Sequence, residues 1–149
     1  MKFKFRLDTI LRHRKIEQDL AQKEFSIAQQ AVRDQLAHIK KLYASIDDSR
    51  AQIEAIQAAG GACSSQINSI ELFIEGQILI IARERQRARE LMQIEEEKHE
   101  VLVLKMQDFK VLEKMKEKKK EEFRKIKNKK IQKNIDDMVT MRFKNEVAS

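Results

Sequence analysis

Three histidines, one cysteine and two dozen carboxylates are the residues of this chain whose types admit acid–base, nucleophilic or metal chemistry. His13, His38 and His99 are widely separated, and they read as solvated or seam-edge imidazoles rather than metal ligands. Cys63 stands alone, so it makes no internal disulfide and anchors no metal cluster, and no base neighbours it in sequence to activate the thiol. Carboxylates become general acids or bases when a concave, water-excluding pocket shifts their pKa, and nothing in this sequence builds one. Gly60-Gly61 is not followed by Lys-Ser or Lys-Thr, so the pair does not form a phosphate-cradling loop. The expectation is a chain with no catalytic, cofactor or metal site and no small-molecule substrate.

The elements available to position any site are equally restricted. The 149 residues include no Pro, no Trp and three Gly, with 37% charged and 5% aromatic residues. A sheet domain of this length needs many tight turns, which draw on Gly and Pro. The chain therefore runs as a few long helices. Its longest apolar stretch, Leu72 to Ala82, is roughly half a bilayer span and contains Glu75 and Gln77, so it does not cross a membrane. The first residues lack the apolar run of a signal peptide, and the lone cysteine fits a reducing, cytoplasmic setting.

Stepping by seven from Leu11 gives Leu11, Gln18, Phe25, Val32, Ile39, Ile46 and Ile53. A second line, Leu7, Arg14, Ala21, Ala28, Gln35, Leu42, Ser49 and Ile56, interleaves three or four residues away. That spacing is a coiled-coil seam. It breaks once, at Gly60-Gly61, where glycine supplies the left-handed conformation that ends a helix. Ser64 or Ser65 then caps the next helix, with Asn68-Ser69-Ile70-Glu71 as a later capping box. Beyond it a second seven-step line runs through Ile67, Ile74, Ile81, Ala88, Glu95, Leu102, Phe109, Lys116 and Phe123. The expected fold is all-α: a long antiparallel two-helix coiled-coil hairpin in a single domain over 1–149. Its first helix covers about 5–58, the turn about 59–65, and the longer second helix about 66–141, before a frayed tail. Residue i then faces roughly 123 − i, and the chain after about residue 118 overhangs unpaired.

Two surfaces exceed what this fold needs. From Lys114 to Lys133 there are eleven Lys or Arg against Glu117, Glu121 and Glu122, a balance of +8 in a chain whose total is +7. Such an excess favours an acidic partner. Only Phe123 interrupts it as a stacking platform and no recognition motif is present, which disfavours nucleic acid. The second surface is apolar. If the seam takes Ile74, Ile78 and Ile81, then Phe73, Ile80, Leu72 and Leu79 point away from it, and one partner helix does not cover them all.

The opening Phe5-Arg6-Leu7-Asp8-Thr9-Ile10-Leu11-Arg12-His13-Arg14 resembles the start of the flagellar export protein FliJ family, Phe-x-Leu-x-x-Leu-Leu-x-x-Arg. The following Gln-, Ala- and Glu-rich helix, the turn near residue 60 and the Lys-rich C-terminal half extend the likeness over the whole chain. The resemblance implies a non-enzymatic stalk, similar to that of rotary ATPases. Such a stalk inserts into the hexameric ring of the flagellar export ATPase, promotes its activity, and links it to the cytoplasmic domain of the export gate FlhA and to export chaperones. By the same resemblance the protein is cytoplasmic and peripherally attached to the inner membrane at the flagellar base. ATPase contacts then fall on Leu7, Leu11, Arg12, Arg14, Lys118, Lys119, Lys120, Arg124 and Lys125. Gate contacts fall on Phe73, Gln77, Ile80 and Glu84, with Gln35, Ile39, Leu42 and Ile46. Two alternatives stay open at this point: the equivalent stalk of a virulence type III secretion system, and a basic coiled-coil nucleic-acid binder.

Overall fold

A computed structural model describes residues 2–60 and 64–148. Two helices account for nearly all of them: α1, Asp8–Ala58, and the longer α2, Ser64–Ala148. Among the described residues there is no strand. The α1 ladder begins where the Leu11 amide donates to the Leu7 carbonyl at 2.9 Å. It ends at Gly60, whose φ of 71° is the left-handed conformation that glycine adopts without a Cβ penalty. Gly61, Ala62 and Cys63 lie outside the described residues.

Three local expectations are corrected. Residues 2–7 precede the helix, instead of being absorbed into it from about residue 5. Asn68-Ser69-Ile70-Glu71 is no capping box but part of the α2 interior, where the Ser69 hydroxyl donates to the Ser65 carbonyl at 3.0 Å. At the other end α2 continues as helix to Ala148, past the expected limit near residue 141.

The chain divides by its contacts into two compact units, Leu20–Val103 and Met1–Asp19 with Leu104–Ser149. In the first, α1 and α2 run antiparallel to either side of the turn. Ala21, Ala28, Val32, Ile39 and Ile46 of α1 are buried, as are Ile74, Ile81, Ala88 and Leu102 of α2. The core cluster is Ile46, Ile74 and Ile81, with Leu42, Ile53 and Ile70 packed against it. Facing partners keep the expected register: Glu24 meets Lys98 and Phe25 meets His99, residue numbers that total 122 and 124. Burying one Ile or Leu contributes about 1.5–3 kcal/mol, so this one stripe must hold the pair.

One position departs from the expected stripe. Gln77, not Ile78, takes the seam place between Ile74 and Ile81, and Ile78 is exposed. Both choices satisfy a 3-4 step. Gln77 wins because it continues the seven-step line Ile70, Gln77, Glu84, Leu91 and Lys98, all half-buried.

In the second unit the pairing is also antiparallel but mostly polar. Leu11 is its one buried apolar residue among those described. Around it, Glu17 accepts from Lys105 at 3.1 Å, and Asp8 accepts from Lys116 at 3.0 Å. Lys15 lies over the Phe109 ring at 5.3 Å. Residues 2–7 extend the pairing further than the overhang expected after residue 118: the Phe3 ring packs on Phe123, with centroids 5.6 Å apart. From Arg124 through Ala148 every residue of α2 is exposed.

Candidate protein-interaction surfaces

The basic surface starts from a simple geometric fact: successive residues of a helix turn by about 100°. Lys118, Lys119 and Lys120 therefore point in three different directions, and Arg124, Lys125, Lys127, Lys129, Lys130 and Lys133 fill the directions between them. All nine are exposed. Two are paired along the helix, Lys119 with Glu122 at 3.6 Å and Lys125 with Glu121 at 3.7 Å. Such exposed pairs contribute little and leave the field of the segment positive. The cations thus surround the helix instead of lining one face, a distribution suited to a partner that encloses it.

The α1 residues assigned to the same contact are placed differently from one another. Leu11 is buried and Leu7 and Arg14 are half-buried, whereas Arg12 is exposed and paired with Asp8 at 3.0 Å. Arg14 is held by Glu17 at 3.3 Å. Leu7, Leu11 and Arg14 thus position this end of the helix pair. The hydrogen bond from Lys116 is the main reason that the Asp8 carboxyl lies below its ordinary pKa. Glu17 is lowered in the same direction, chiefly by the hydrogen bond from Lys105.

The apolar surface lies in the other unit. Phe73 is 46% exposed and Leu79 72% exposed; Leu72 and Ile78 are exposed beside them. Ile80 and Glu84 are half-buried on the flank of the same helix. Gln35 Nε2 donates to the Glu84 carbonyl at 3.0 Å and to Glu84 Oε2 at 2.6 Å, tying α1 to α2 beneath this surface. The Gln77 side-chain oxygen is enclosed with no hydrogen-bond partner among the described residues. Of the α1 residues assigned to the gate contact, Ile39 and Ile46 are buried in the seam, at 8% and 3% exposure, and Leu42 packs on the core. Ile39 and Ile46 hold the helices together and present almost no surface, while Leu42 keeps a partly exposed edge. The overlap is visible in the sequence, where Gln35, Ile39, Leu42 and Ile46 all fall on the two seven-step seam lines.

Among the described residues no group of three or more His, Cys, Asp or Glu is placed to hold a metal ion. His13 donates toward Glu17 at 2.7 Å, His38 is exposed, and the His99 ring packs at a tilt against Phe25 with centroids 5.2 Å apart. No helix among the described residues is long and apolar enough to cross a membrane.

The feature missed by sequence reading is the segment before α1. Lys2, Lys4 and Arg6 are exposed while Phe3, Phe5 and Leu7 are half-buried, an alternation with the period of an extended chain. That period was present in the sequence, masked by its continuity with the helical line through Leu7 and Leu11.

No curated protein and no solved structure matches the chain. The family described as the flagellar FliJ protein matches residues 3–148. With a match over nearly its whole length, this chain belongs to the flagellar FliJ family of export proteins.

Proposed function

We propose that this protein is a non-enzymatic stalk and adaptor of the flagellar type III export apparatus. The basic segment from about residue 118 onward enters the hexameric ring of the export ATPase and promotes its activity. The observation that carries this reading is the arrangement of exposed cations on all sides of α2 between Lys114 and Lys133. A flat acidic surface would engage one face of such a helix and leave the remaining charge unused; a ring of subunits meets every face. Because the enclosed helix is not six-fold symmetric, each subunit contacts it differently, which biases one subunit's conformation at a time. Basic side chains steer the encounter and make attachment sensitive to salt.

The exposed surface around Phe73 and Ile80, bordered by Gln77 and Glu84, is the contact for the cytoplasmic domain of the export gate FlhA. Export chaperones are handled by the same adaptor, in the cytoplasm at the inner membrane of the flagellar base. Reversing charge at Lys118, Lys119 and Lys120 together should lower ATPase stimulation at physiological salt by about tenfold or more while the circular dichroism of the helices is unchanged. Undiminished stimulation by the well-folded variant would contradict the reading.

A further inference from the structure

Residues 2–7 precede α1. The segment lies against α2 and turns at residues 6–7, with Phe3, Phe5 and Leu7 lining one groove together with Met115, Phe123 and Ile126. The fit is loose: an open groove of about 710 Å³ remains between them. The one aromatic pair on it is Phe3 with Phe123. Its outward residues Lys2, Lys4 and Arg6 make no ion pair among the described residues. They sit beside Lys119, with Glu122 as the groove's one carboxylate, on the stretch of α2 that carries the +8 balance. Apolar contact therefore draws the segment onto α2 while like charge pushes it off. The positive end of the α1 dipole adds to the repulsion, partly offset by Asp8 in the first helical turn.

We propose that residues 2–7 form a charge-sensitive strap, docked on α2 when the basic segment is neutralised and released when it is not. A polyanionic partner bound along Lys114–Lys133 removes the repulsion and so tightens the strap. By linkage the docked strap raises affinity for that partner by the same factor. The strap then closes the apolar patch of Met115, Phe123 and Ile126 as the partner arrives and bares it when the partner leaves.

The strap's position is read by 19F NMR on the full chain carrying fluorophenylalanine at position 123, with Phe3→Ala as the reference for the released state. Sodium chloride and poly-L-glutamate serve as probes, so the outcome is separate from that of the ATPase reading. Raising salt from about 20 to about 300 mM should increase the docked-to-released ratio about twofold to fivefold. Poly-L-glutamate at low salt should do the same. In the Lys2→Glu, Lys4→Glu, Arg6→Glu variant the salt response should reverse, because attraction has replaced repulsion. A ratio in the native chain that is unchanged or falls with salt would overturn the proposal. So would a rise of equal size in the variant, since that is the behaviour of an apolar contact alone.

Discussion

The unit next to the turn and the unit holding residues 2–19 use the same antiparallel pairing for different ends. Near the turn, Ile46, Ile74 and Ile81 form an apolar cluster, and a polar tie between Gln35 and Glu84 joins the same two helices. In the other unit Leu11 is the single buried apolar side chain among the described residues, and the ion pairs Glu17–Lys105 and Asp8–Lys116 join the two helices beside it. Apolar seams hold at any pH and salt; ion-paired seams do not. The difference teaches that one unit is built to persist and the other to respond to charge, and the charged one adjoins the proposed ATPase contact.

The largest expected effect tests the persistent half. Ile46→Ala or Ile81→Ala should cost about 2–4 kcal/mol in urea unfolding, because each leaves a cavity in the one apolar cluster. Leu11→Ala should cost clearly less, since polar neighbours and solvent fill its place; equal costs would erase the contrast. A smaller effect of opposite sign is expected at Gln77→Leu, which removes the enclosed, unpartnered oxygen and should stabilise by about 1 kcal/mol in the same assay.

A change of pH sharpens the contrast from the other side. The Asp8 and Glu17 carboxyls are lowered by folding from ordinary values of 3.8 and 4.5. A group lowered in this way stabilises the fold above its unfolded pKa and loses that contribution as pH falls through the folded value. Acidification from pH 5 toward pH 2–3 (about that window, since both folded values lie below the ordinary ones) should weaken the unit of residues 2–19 and 104–148 first. The Asp8→Asn, Glu17→Gln variant should show a shallower acid loss in thermal melts. An identical slope in the variant would mean that the two ion pairs do not couple to folding.

Much of the fold was legible because a seam of period 3.5 interrupted once admits few arrangements. Both seven-step lines of α1 came out buried or half-buried, and the register of Glu24 opposite Lys98 follows from the position of the turn alone. What escaped were places where two periods or two phases compete. Lys2 to Leu7 alternates with period two yet abuts a helical line. Ile78 is more apolar than Gln77, yet a whole stripe from Ile70 to Lys98 outvotes one side chain. The basic surface was visible as charge, while the exposure of its cations around the helix, on which the functional reading depends, follows only from the structure.

That distribution is most directly tested by site-specific photo-crosslinking in flagellated cells. A photoreactive residue is placed singly at Lys119, Lys120 and Lys125, which point in three well-separated directions around α2. The account predicts that each of the three captures the export ATPase. Capture from one direction only, or from none, would contradict it.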